Sequence, residues 1–322
     1  MTPLAWYRRT GADPPFGDQR RAHGTRFEGY YWRLTDAAAG RVAIVLCGVC
    51  RDVAGPWAIV ALASSDGLVR SRLEPVAEVS FGDLGVRAGS SLSGSASHLR
   101  VDLGADARLE LRFEDRVEWP RRAFGGTGPA QIVPGLPQYW HPHLLGGRVT
   151  GSGWDGAVIY AEKNWGPRFT EHWWWGQAQA FEGADACVAF AGGRVLGGAP
   201  TGVVVRVEDR ILRLAPPFAQ LRTSIGAAAW RVRARSARWD VELEGEGVGS
   251  PAVLPVPVPG ERRVEPRSQQ YLTGRLHATV RRGSRVWWSG ESSLAGQTVL
   301  SGMSRSVRSM AASFSGLGGS RA

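Results

Sequence analysis

Apolar residues recur along this chain mostly at every second position, and helical spacing is scarce. Leu109, Leu111 and Phe113 alternate with charged residues, and Val203, Val205 and Val207 share one face of another run. Successive side chains of a strand point to opposite faces, so each run predicts a strand with one buried side. Three pairs of runs read as β-hairpins with short polar links. Residues 203–207 turn at Glu208-Asp209-Arg210 into 211–214. Trp230, Val232 and Ala234 lead to Trp239, Val241 and Leu243, and 272–280 turn through 281–285 into Val286-Trp287-Trp288. Continuous apolar runs at 42–49 and 56–63 predict strands buried on both faces. The whole pattern predicts an all-β antiparallel protein, a sandwich or a barrel.

A Gly/Pro-rich stretch at 120–153 interrupts the strands, with Gly125-Gly126-Thr127-Gly128-Pro129 and Pro134-Gly135-Leu136-Pro137 inside it. Two β units joined there account for the length of 322 residues, with expected domains at 1–135 and 136–300. Residues 250–259 contain four prolines and read as a loop, and 301–322 turn Ser/Gly/Arg-rich and read as a flexible tail.

Composition narrows the class. Hydrophobic residues are 43% and charged residues 21%, which excludes a chain disordered throughout. No apolar run approaches 18 residues, so no transmembrane helix is expected. The first 24 residues carry Arg8, Arg9, Asp13, Asp18, Arg20 and Arg21 without an apolar stretch, unlike a secretory signal. Three cysteines cannot all pair, which fits a reducing, cytoplasmic setting. The net charge of +10 favours anionic partners, but it is scattered, with no basic block. There are 14 Trp, and Lys163 is the sole lysine among 39 basic residues, a weak pointer to a chemical need there.

The densest chemistry is the run from Tyr160 to Gly183, YAEKNWGPRFTEHWWWGQAQAFEG. As a strand it puts Tyr160, Glu162 and Asn164 on one face and Lys163 and Trp165 on the other. Trp173, Trp175, Gln177 and Gln179 share a face further on. Aromatics mixed with amides suit a cavity that holds an apolar ligand and hydrogen-bonds its polar head, or equally a Trp-rich core with satisfied amides. A second cluster, Gln138 to His143, puts His141 and His143 on one side of a strand. With His172 they could form a three-His zinc site, but acid–base, hydrogen-bonding and purely structural roles fit as well. In a third, Glu28, Tyr30 and Trp32 share a face. A carboxyl among aromatics would have its pKa raised by desolvation, whereas on a solvated edge it would be ordinary. Cys47-Gly48-Val49-Cys50 lacks a second pair and reads as buried, inert thiols. No P-loop or G-x-S-x-G elbow occurs. The Trp positions are of buried type, against a single-strand nucleic-acid surface.

Two of these runs carry a resemblance. Tyr160-Ala161-Glu162-Lys163-Asn164-Trp165-Gly166, then Phe169, Trp173-Trp174-Trp175 and Phe181-Glu182-Gly183, is similar to the signature of the tocopherol cyclase family. Phe27-Glu28-Gly29-Tyr30-Tyr31-Trp32-Arg33 resembles that family's N-terminal motif, and Glu291-Ser292-Ser293-Leu294-Ala295 falls where the family ends a strand. Departures stand at Ala161, Thr170 and Gln177-Ala178-Gln179. The resemblance implies two lipocalin-like antiparallel β-barrel domains, akin to carotenoid hydratases. It also implies closure of a chromanol ring on a prenylated hydroquinone without redox cofactor or metal.

Residue types then suggest roles. Glu162 is the expected proton donor and Glu28 the second candidate, if its motif lines the same cavity mouth. His141 or His143 would bind or deprotonate the phenol. Tyr160, Asn164, Trp165, Trp173, Trp175, Gln177, Tyr30 and Trp32 would contact substrate. Lys163 would pair with another carboxylate or reach inside through a bulge. The expected partner is a small apolar prenylated phenol or isoprenoid, with peripheral contact to an anionic membrane and no nucleic acid. The competing readings are a non-catalytic carrier of a prenyl lipid or polyketide, a hydratase of isoprenoid alkenes, and an RNA or acidic-surface binder.

Overall fold

The computed structural model describes residues 2–15, 17–170, 172–195 and 197–300. A short helix α1 (Pro3–Arg9) precedes β1 (Phe27–Asp36), β2 (Arg41–Asp52), β3 (Gly55–Ser64), β4 (Val69–Glu74), β5 (Ala77–Val79), β6 (Gly85–Ala88), β7 (Leu92–Ser95), β8 (His98–Asp102), β9 (Arg108–Glu114), β10 (Tyr139–Leu144), β11 (Arg148–Thr150) and β12 (Val158–Gly166). These twelve strands form one antiparallel sheet in the order β4-β3-β2-β1-β12-β11-β9-β8-β7-β6-β5, with β10 also paired to β12. There follow β13 (Trp173–Ala178), β14 (Ala186–Gly193), β15 (Thr201–Val207), β16 (Arg210–Leu214), β17 (Ala219–Ile225), β18 (Ala229–Ser236), β19 (Trp239–Gly247), β20 (Ala252–Val258), β21 (Arg263–Tyr271), β22 (Gly274–Arg282), β23 (Arg285–Ser292) and β24 (Gly296–Leu300). They form a seven-stranded sheet, β16-β15-β14-β13-β24-β21-β20, and a five-stranded sheet, β17-β18-β19-β22-β23.

The three expected hairpins are present, with Val205 opposite Leu212, Val232 opposite Leu243 and Ala278 opposite Gly290. Other expectations need correction. No ladder closes a barrel among the described residues. The first sheet curls until β5 and β6 lie against β3, but β4 and the three-residue β5 end it without pairing to each other. The later strands form two sheets around a shared core. The proline-rich 250–259 segment is not a loop but contains β20. It is an edge strand bulged between Leu254 and Pro255, where the N–H groups that Pro255 and Pro257 lack are not needed by a second neighbour. The interruption at 120–153 contains β10 and β11. Both pair with β12 in the first sheet, and the strands of the other two sheets begin at Trp173. The expected tail at 301–322 lies outside the described residues. No described helix is long and apolar enough to cross a membrane.

Strands β1, β2 and β12 are covered on both sides, which explains the unbroken apolar runs. Tyr30, Trp32, Leu34, Val45 and Ile159 join the core inside the curl of the first sheet. The alternate residues face the seven-stranded sheet, where Ile44, Leu254 and Leu294 pack together. Arg33 crosses that seam and donates to the backbone oxygens of Leu272 (2.9 Å) and Leu294 (2.6 Å).

On the inner side, a buried polar network ties residues 11–28 to β12. Lys163 Nζ lies 2.9 Å from Glu28 Oε2, 2.6 Å from the Arg21 carbonyl and 3.2 Å from His23 Nδ1. Glu28 also accepts from Arg51 and from the backbone amides of His23 and Gly24. His23 Nε2 meets Asp13 Oδ2 at 3.0 Å, and the ring stacks on Trp165 at 4.0 Å. Burial alone would raise the Glu28 carboxyl, but the charges of Lys163 and Arg51 outweigh it and hold it below its ordinary range. Burial lowers the imidazoles of His23 and His141 well below their ordinary value, and His143 to about 3.

Two outcomes follow. Lys163→Ala leaves buried Glu28 with only one of its two counter-charges, Arg51, and costs about 3 kcal/mol in urea unfolding, whereas Lys163→Ala with Glu28→Ala costs less than the sum of the single changes. Acid also weakens the fold. The unfolded chain takes protons on its histidines near their ordinary pKa of 6.5, while folded His143 takes one only near 3. Stability measured by urea midpoints therefore falls as pH drops from about 6.5. His143→Gln flattens that fall; an unchanged slope would refute the assignment.

Candidate functional site

The outward face of β1 and β12 meets the seven-stranded sheet across a small cavity of about 80 Å³. Phe27, Gly29 and Tyr31 of β1, Glu162 and Asn164 of β12, and Gly48 of β2 form one wall. Trp173 and Trp175 of β13, residues 254–257 of β20, Ser268 and Gln270 of β21 and Thr298 of β24 form the other, with Phe169 at its rim. Glycine is required at position 29, because a Cβ there would stand 2.5 Å from Asn164 Oδ1 and 2.8 Å from the Phe27 ring. Hydrogen at that position keeps the floor open beside the amide.

Glu162 is 4% exposed and is the most constrained group in the cavity. The Tyr160 hydroxyl donates to its Oε2 at 2.5 Å, the Trp140 indole N–H at 2.7 Å and the Trp175 indole N–H at 2.8 Å. All three donors converge on one oxygen, and Oε1 receives none of them. Desolvation raises the Glu162 pKa, the three hydrogen bonds oppose it, and the balance lies above the ordinary carboxylate value. When the group is neutral its proton belongs on Oε1, because three donors occupy Oε2. The site therefore presents a desolvated acid whose conjugate base is already solvated by fixed dipoles.

The structure gathers some of the expected residues and separates others. Tyr160, Glu162 and Asn164 share the expected face, and Trp173 and Trp175 border the same cavity, whereas the Tyr30 ring packs in the inner core beside Lys163. Asn164 Oδ1 is buried without a partner. Glu28 does not line this cavity. It points through the opposite side of the sheet into the Lys163 network, and those cations lower its pKa where aromatics alone would raise it. Lys163 pairs with that carboxylate with no bulge at its position, and Trp165 spends its indole N–H on the Gly11 carbonyl at 2.7 Å. Trp32 belongs to the inner core. Neither His141 nor His143 reaches the cavity, because β10 turns Trp140 toward Glu162 and its histidines the other way. Gln177 lies past the cavity with its amide 3.7 Å from Cys187 Sγ. Among the described residues no three His, Cys, Asp or Glu side chains gather as a metal-binding group. Burial pushes the thiols of Cys50 and Cys187 up to about 12 and that of Cys47 higher still.

Tyr31, Trp140 and Gln270 were missed. Tyr31 pairs directly with Glu162 across the ladder, and Gln270 Nε2 donates to its hydroxyl at 2.6 Å. The motif at 27–33 is aromatic on both faces, so its alternation gives no clue to which parity meets the ligand. Trp140 could have been found, since Gln138-Tyr139-Trp140-His141 already put an indole out of phase with the two histidines.

Residues 149–300 match the model of the family described as tocopherol cyclase-like. The chain is 38% identical over 77 residues to the protein described as "Probable tocopherol cyclase, chloroplastic" of Oryza sativa subsp. japonica. That stretch is 21% of this chain and 16% of the rice protein, so the chain spans only a small part of that relative's length. Among solved structures, a protein named as an AttH of Nitrosomonas europaea shares 13% identity at a TM-score of 0.52, over 89% of this chain and 97% of its own. CghA, solved with Sch210972, shares 14% identity at a TM-score of 0.55, over 86% and 89% of the two chains. At such identities these likenesses show the fold. Glu162, Trp173 and Gln270 all fall within residues 149–300, the stretch that matches the tocopherol cyclase-like family model.

Proposed function

We propose that this chain is a cyclase that protonates the alkene of a prenylated phenol and closes the ring through the phenol oxygen. The observation that carries the reading is the convergence of three donors on Oε2 of Glu162, a residue that lines the cavity, which leaves Oε1 to bear the proton. The Oε1 proton passes to one alkene carbon, and the π electrons leave a tertiary cation on the other. A lone pair of the phenol oxygen forms the C–O bond, and the phenolic proton returns to the Glu162 carboxylate. Atoms and charge balance without an external reagent.

The walls suit the intermediate. The faces of Tyr31, Trp173 and Trp175 carry electron density that stabilises a cation without capturing it, each by about 2 kcal/mol when water is excluded. The three hydrogen bonds hold the carboxylate formed in the same step. The cavity of about 80 Å³ accommodates an alkene terminus, not a whole prenylated ring, against the several hundred Å³ usual for ligand sites. In this reading β20 and Trp173 move off the first sheet as substrate binds. Sch210972 bound to CghA supports a ligand site within the same fold. Leu4 and Trp6, half or more exposed on the helix that also carries exposed Arg9, support peripheral contact with an anionic membrane.

Incubation with a short-chain prenylated hydroquinone should yield the chromanol. Glu162→Gln should lower kcat by about 10²–10⁴-fold with little change in melting temperature. Turnover at the wild-type rate would refute the assignment. Because Glu162 must carry its proton, kcat should be full at low pH and fall as pH rises through its raised pKa. A rate that instead climbs across that range would assign Glu162 as a base.

A further inference from the structure

We propose that Tyr31, presented by Gln270, is the hydrogen-bond donor that holds a substrate oxygen in this cavity, and that Asn164 accepts from the same oxygen. The inference rests on the cyclase reading for the identity of the ligand, but not for its geometry.

The Tyr31 hydroxyl oxygen already accepts Gln270 Nε2 at 2.6 Å. That amide is 2% exposed and belongs to β21, so the bond spans the two sheets and fixes the ring between them. A phenolic oxygen that accepts still has one proton to give, and no acceptor receives it among the described residues. The ring also meets Trp175 edge-on at 5.1 Å, and the Trp175 indole holds Glu162. One tryptophan thus positions both the acid and the hydroxyl donor. Burial raises the Tyr31 pKa, with the Arg33 charge working against it, and Tyr31 remains a donor at neutral pH rather than a base.

The next pair along the ladder on the same face is Gly29 with Asn164. Asn164 Oδ1 is buried, lacks any partner and lines the cavity. Two residues along a strand cover about 7 Å, so donor and acceptor flank one small group. An oxygen that takes a proton from Tyr31 and offers one to Asn164 is a hydroxyl. A carbonyl or ether would leave Asn164 unsatisfied, and a hydrocarbon would leave both unsatisfied, a desolvation loss worth about tenfold or more in affinity.

The test uses quenching of tryptophan fluorescence by two probes, a short-chain prenylated hydroquinone and the matching prenylbenzene without oxygen. Wild-type protein should bind the hydroquinone at least about tenfold more tightly. Tyr31→Phe should lose most of that preference while keeping its affinity for the prenylbenzene. Gln270→Met, which keeps the hydroxyl but not its support, should lose part of it. Glu162→Gln should keep the preference and lose turnover. A preference unchanged in both Tyr31→Phe and Gln270→Met overturns the proposal, as does wild-type indifference to the oxygen. A preference that Tyr31→Phe abolishes, in a protein that never forms chromanol, upholds the oxygen site and overturns the cyclase reading alone.

Discussion

Strands β1 and β12 pair along nine residues in the middle of the first sheet, and both faces of that ladder are buried. Every polar side chain they carry must therefore find its partners without bulk water. The pairing sorts those side chains in two directions at once. Glu28 and Lys163 go inward to each other, and Tyr31, Glu162 and Asn164 go outward to the second sheet. The ion network fastens the N-terminal segment under the ladder, and the cavity forms above it.

The two carboxylates show how environment assigns work. Glu28 and Glu162 are both buried, and desolvation penalises both charges. Glu28 meets two cations and stays ionised, a structural anchor. Glu162 meets only neutral donors, the Tyr160 hydroxyl and two indoles, and its pKa rises. Neutral dipoles stabilise a carboxylate less than full charges do, so they leave the acid its proton while keeping its conjugate base accessible. The tryptophans near Glu162 act through their N–H groups as much as through their ring faces.

Much of this was legible in the sequence. Alternation located the hairpins, and the strand parity of 160–164 placed Glu162 and Asn164 on one face. What failed has physical causes. Strand β20 was read as a loop because proline is judged by its missing donor, and an edge strand does not ask for that donor. The histidines of β10 looked chemical because imidazole titrates near neutrality, yet burial holds His143 near 3 and takes it out of that range. Glu28 looked like an acid because its cations lie far away in sequence, at Arg51 and Lys163. Tyr31 was passed over because its strand is aromatic on both sides, and composition cannot say which side is empty.

A ladder with two unlike sides also constrains how the gene can vary. Deleting or inserting one residue within β12 would rotate the sequence by half a period, sending the ammonium group into the cavity and Glu162 among Arg51 and Glu28. Neither position would survive the exchange. Length changes should accordingly be confined to connections such as 120–138, while these two strands accept drift only one side chain at a time.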